Sequence, residues 1–151
     1  MEIKTQAPVQ VLSVNIKTSL ATIQKDTGET PMHLYDVATK AGLVPAGPQI
    51  WRYVGADGNK DTIFSLEMAL PVSGVAIGTS LGYNLSETPS FKYVSTIHHG
   101  SWDNLYQTYA RIIAELQTNG LTMTDECREV YTVVDMENPA NNITEVQMGI
   151  Q

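Results

Sequence analysis

The chain has 151 residues, 42% of them hydrophobic and 17% charged, which places it among soluble globular proteins long enough to bury one core without covalent staples. Nine basic residues against sixteen acidic ones give a net charge of −7 with no cluster of Lys or Arg, excluding a nucleic-acid surface, because phosphate neutralisation needs concentrated positive charge. No apolar run approaches the roughly 20 residues that span a bilayer.

MEIKTQAPVQ at the start lacks the basic and apolar stretches of a secretory signal, and Cys127 is the only cysteine. The expected compartment is therefore the cytoplasm, with Cys127 an ordinary structural thiol. The acidic balance serves solubility first, and it suits a cationic ligand or a basic protein surface.

In chain order, residues 9–18 (VQVLSVNIKT) set Leu12, Val14 and Ile16 at every second position, the period of a strand. Ser19 to Glu29 is polar and reads as a loop. A helix follows, with Thr30 as candidate N-cap, Pro31 at its first position, Leu34, Val37, Ala38 and Ala41 at helical spacing, and Gly42 as the stop. Residues 50–55 (IWRYVG) and 62–72 (TIFSLEMALPV) read as strands, separated by the turn Ala56-Asp57-Gly58-Asn59. Ser73 to Pro89 has no regular period and reads as a linker.

Residues 91–100 (FKYVSTIHHG) are again strand-like. Ser101 is a candidate cap for a helix over Trp102 to Asn119, which Gly120 ends. Residues 128–135 (REVYTVVD) and 143–150 (ITEVQMGI) are the last two strands, with a turn between them.

Each half thus runs strand, helix, strand, strand, over residues 9–72 and 91–150, with 73–90 between. An offset of 78 supports duplication: Gly42 meets Gly120, Leu43 meets Leu121, Tyr53 meets Tyr131, Asp57 meets Asp135 and Glu67 meets Glu145. The fold expected is α+β, two βαββ modules in one domain over 1–151, related by a pseudo-twofold axis. Their antiparallel strands carry both helices on one side, and a groove follows the seam, where small ligands commonly bind.

Alternation sends Leu66, Met68 and Leu70 to the core face and Glu67 to the other, and it does the same for Glu145 among Val146, Met148 and Ile150. Either a solvated acid or a ligand carboxylate fits such a position. Trp51, Tyr53, Trp102, Tyr106 and Tyr131 offer ring faces for flat or cationic ligands, whereas Tyr109 on the apolar helical stripe reads as core. His98 and His99 point to opposite faces, so no metal site is expected, and no P-loop, GxGxxG or Ser–His–acid arrangement is present.

The blocks GPQIWRYVG, FSLEMALPV, YVSTIHHGSWDNLYQTYARIIAEL, REVYTVVD and ITEVQMGI, in this order over residues 9–151, resemble the GyrI-like small-molecule-binding family. Its members end AraC-type and BmrR-type regulators and also occur free-standing. The chain has no room for a helix-turn-helix unit beside this domain, which suggests a free-standing member.

The resemblance implies a groove that takes a lipophilic, cationic or aromatic small molecule without a cofactor. An acid on the last strand, matched by Glu145, would meet the ligand's polar part, with Glu67 as its counterpart. Trp51, Tyr53, Trp102, Tyr106 and Tyr131 would form the wall. Two alternatives come with the family. One is hydrolysis of cyclopropane-bearing toxins, with Glu145 or Glu67 activating water. The other is inhibition of a protein partner in the manner of the gyrase inhibitor.

Overall fold

The structure is a computed structural model that describes residues 1–75 and 83–151. The first half contains β1 (Lys4–Gln6), β2 (Gln10–Thr18), α1 (Ile23–Thr27), α2 (Thr30–Lys40), β3 (Val44–Pro45), β4 (Ile50–Val54) and β5 (Phe64–Ser73). The second contains β6 (Asn84–Glu87), β7 (Phe91–His99), α3 (Leu105–Thr118), β8 (Met123–Val133) and β9 (Ile143–Ile150). Short 3-10 turns at Trp102–Asn104 and Pro139–Asn141 lead into α3 and β9.

All strand pairs are antiparallel and form one sheet in the order β1-β7-β9-β8-β4-β5-β2-β6, with β3 added beside β5. The expected βαββ modules are β2-α2-β4-β5 and β7-α3-β8-β9, joined edge to edge through β4 and β8. Trp51 lies opposite Glu129 across that seam. Glu129 is also the counterpart of Trp51 at the offset of 78, so the pseudo-twofold axis runs through this pair.

Period-two alternation sorts the side chains as expected. Leu12, Tyr53, Leu66, Met68 and Leu70 pack beneath Leu34 and Ala38 of α2. Val94, Val146, Met148 and Ile150 pack beneath Ile112 and Leu116 of α3. These are two cores, each under its own helix, and Cys127 touches both. Both helices stop at glycines with positive φ, Gly42 at 75° and Gly120 at 67°, a region that a Cβ disfavours.

Several boundaries differ from the sequence reading. Thr30 lies inside α2 and Glu29 holds the cap position without a side-chain bond. The loop read over Ser19–Glu29 contains α1, where Asp26 accepts from the hydroxyls of Thr18 and Thr22 at 2.8 Å each. The linker read over 73–90 contains β6, which pairs with β2 through backbone bonds that polar residues make as well as apolar ones; its residues 76–82 lie outside the described residues. Ser101 caps as expected, its Oγ accepting from the Asp103 amide at 3.2 Å, though the first turn is 3-10 rather than α.

Candidate ligand-binding site

On the helix-bearing face, at the seam, four side chains from three elements converge. Tyr53 comes from β4, Glu129 and Tyr131 from β8, and Tyr109 from α3. Glu129 is only 6% exposed. Its Oε1 accepts from the Tyr131 hydroxyl at 2.7 Å and from the Tyr53 hydroxyl at 3.1 Å, and its Oε2 accepts from the Tyr109 hydroxyl at 2.5 Å. The hydroxyls of the repeat-related Tyr53 and Tyr131 lie 3.2 Å apart across the axis. Among the described residues no Lys, Arg or His stands within ion-pair distance of Glu129.

Two indoles wall this acid. Trp51 and Trp102 meet the Tyr131 ring edge-on, at centroid distances of 5.2 and 5.5 Å. The Trp51 Nε1–H donates to Gln49 Oε1 at 3.2 Å, and Gln49 in turn donates to the Pro31 carbonyl, tying the wall to the start of α2. The Trp102 Nε1–H donates to Thr144 Oγ1 at 3.0 Å. Trp51, Trp102, Tyr109 and Tyr131 keep part of their surface exposed while the carboxylate beneath them is buried.

Burial, and then the Glu129 charge, push the phenols of Tyr109 and Tyr131 well above their ordinary range, and the same two causes act on Tyr53. All three remain proton donors at neutral pH. Burial and Glu129 also push the Cys127 thiol up to about 12, which leaves it no nucleophilic thiolate.

The residues singled out from sequence fall into two groups on opposite faces. Trp51, Tyr53, Trp102 and Tyr131 surround Glu129. Tyr106 stands away at 67% exposure, its hydroxyl accepting from the neighbouring Gln107 amide. Glu67 and Glu145 lie on the face without helices, so neither shares a site with these rings. The physical reason is the pleat: Arg52, the neighbour of Trp51 and Tyr53, projects opposite to them and pairs across the sheet with Glu67.

Arg52 Nη1 donates to Glu67 Oε1 at 2.6 Å and Ser13 Oγ donates to Oε2 at 2.9 Å, so Glu67 is already neutralised. Glu129 and Tyr109 are the members that the sequence reading did not place in the site. The signal for Glu129 was present in alternation, because Cys127, Glu129 and Tyr131 share one face and that face is the core side.

Comparison with known proteins gives the arrangement a context. The family model of the GyrI-like small molecule binding domain matches residues 1–151. No curated protein matches the sequence. Among solved structures, the C-terminal domain of EcmrR is 18% identical, covers 99% of this chain and 96% of its own, and superposes with a TM-score of 0.78. SAV2435, described as bound to tetraphenylphosphonium, is 14% identical with coverages of 99% and 93% and a TM-score of 0.64. A protein described as a hydrolase from Listeria innocua is 14% identical with coverages of 99% and 91% and a TM-score of 0.65. At such identities the likeness is one of fold. Among the described residues no helix is long and apolar enough to cross a membrane.

Proposed function

Because the chain belongs to the GyrI-like small molecule binding domain family, we propose that it captures a lipophilic aromatic cation over Glu129. The observation that carries this reading is a buried carboxylate supplied with neutral donors alone. Taking an ion out of water costs several kcal/mol, and hydroxyl donors offset only part of that cost. A cation seated above the acid completes the charge balance, and the low polarity of the surroundings strengthens the attraction. The partly exposed rings of Trp51, Trp102 and Tyr131 supply stacking and cation–π contact to the ligand's apolar body.

Tetraphenylphosphonium, the compound named with SAV2435, is the natural probe. Titration followed by calorimetry is expected to show binding. Glu129→Gln should weaken it about tenfold or more, because the variant removes the full negative charge that faces the cation in surroundings of low polarity. Neutral triphenylphosphine oxide should lose much less. Equal affinity in parent and variant would remove Glu129 from the site. The hydrolytic alternative was expected on Glu145 or Glu67, and mass spectrometry of a cyclopropane-bearing substrate separates turnover from stoichiometric retention.

A further inference from the structure

On the face without helices the duplication is broken at one position. In the first half Arg52 lies opposite Glu67 and binds it. The counterpart of Glu67 is Glu145, and the β8 residue opposite Glu145 is Val130, the counterpart of Arg52. The second half has kept the acid and has an isopropyl group where the guanidinium stood. Among the described residues Glu145 has no cation within ion-pair distance, and its polar contact is the amide Nε2 of Gln147, a side chain only 5% exposed.

Val130 and Glu145 both line a recess of about 450 Å³ that crosses the seam. Its first-half wall is aliphatic, with Pro48, Ile50 and Pro71. Tyr93 stands on the other side, its phenol pushed above its ordinary range by burial and then by the Glu145 charge. Arg128 also lines the recess, but its guanidinium is committed: Nε donates to Glu126 at 2.6 Å, Nη2 donates to the Pro89 carbonyl at 3.1 Å, and the group lies 3.9 Å over the Phe91 ring. The acid that remains available is Glu145.

We infer that this recess is a second ligand site, which takes a small aliphatic ammonium with its nitrogen on Glu145 and its hydrocarbon against Pro48, Ile50 and Pro71. The chemistry differs from that of the helix-bearing face. Aliphatic walls accept a saturated ring or chain, and a primary ammonium has the N–H donors that a carboxylate needs in place of a guanidinium. A tetraaryl cation has none. The inference is independent of the Glu129 reading.

The test uses cyclohexylammonium and the intact protein, titrated by amide NMR with and without saturating tetraphenylphosphonium. One cyclohexylammonium is expected to bind in both conditions, with shifts confined to residues around Glu145 and Val130. Glu145→Gln should weaken it about tenfold or more. Val130→Arg, which restores the pairing seen at Arg52 and Glu67, should close the site and raise the melting midpoint or leave it unchanged. Binding to either variant with parental affinity overturns the site, as does absence of binding at about 10 mM ligand. Displacement by tetraphenylphosphonium places the amine on the other face and overturns it as well. Failure of tetraphenylphosphonium itself to bind bears on Glu129 alone.

Discussion

A carboxylate that accepts from three tyrosyl hydroxyls does not depend on them equally. Oε1 of Glu129 has two donors, Tyr53 and Tyr131, whereas Oε2 has Tyr109 alone at 2.5 Å. Tyr109→Phe therefore strands a buried acceptor and should destabilise the fold by about 1–3 kcal/mol. Tyr53→Phe leaves Oε1 with a partner and should cost less, an order that urea midpoints of the two variants will check. On the opposite face Glu126 joins Arg52 and Arg128. Burial raises its carboxyl, but the hydrogen bonds from the two guanidiniums outweigh that, so it titrates below its ordinary value of 4.5. A depressed carboxyl contributes stability that is complete above the unfolded value and fades as pH falls through the lower folded one. The melting midpoint of Glu126→Gln should accordingly fall less steeply than the parent's as pH drops below about 4.5. An identical slope would mean that the two arginines give Glu126 no preference for its charged form. The sequence showed Glu129 only indirectly, because an acid on a core face is legible once the faces are assigned, while its three donors arrive from distant parts of the chain.

At the scale of elements, legibility followed the hydrophobic period. β2, β4, β5, β7 and β9 bury alternate apolar side chains, and their spacing in sequence places them within a residue or two. β1 and β6 are three and four residues of mostly polar sequence, KTQ and NLSE. They exist because edge strands offer unpaired backbone groups, a cause with no periodic signature. The first turns of β8 were missed for a related reason: Thr124 and Asp125 are exposed, and the register shifts between Met123 and Cys127. Helix ends were plainer, since both stop at glycines whose φ is positive. Gly120 at 67° has open space around its Cβ direction, so Gly120→Ala meets no neighbour and its effect is conformational. It should lower stability by about 1 kcal/mol, seen as a lower melting midpoint. An unchanged midpoint would show that the stop does not require the left-handed region.

At the scale of the molecule, the chain exchanges strands between its halves. β1 precedes β2 in sequence but pairs with β7, and β6 precedes β7 but pairs with β2. Each module is thus edged by a strand from the other half, and β4 with β8 closes the middle. Neither core keeps its sheet intact if the other half unfolds, although the two hydrophobic clusters are separate under their own helices. The consequence is cooperative unfolding, one transition for both modules. The two tryptophans make this measurable, since Trp51 lies in the first half and Trp102 in the second. In Trp51→Phe the remaining fluorescence comes from Trp102 in the second module, and in Trp102→Phe it comes from Trp51 on β4, where the first module meets the seam. Within each variant, the fluorescence midpoint in urea should coincide with the midpoint of far-ultraviolet circular dichroism, whatever the substitution does to overall stability. A fluorescence transition displaced from the dichroism one in either variant would mean that a module opens by itself. The seam that holds Glu129 would then be a contact between independent parts, and a ligand bound there would add the coupling that the strands do not provide.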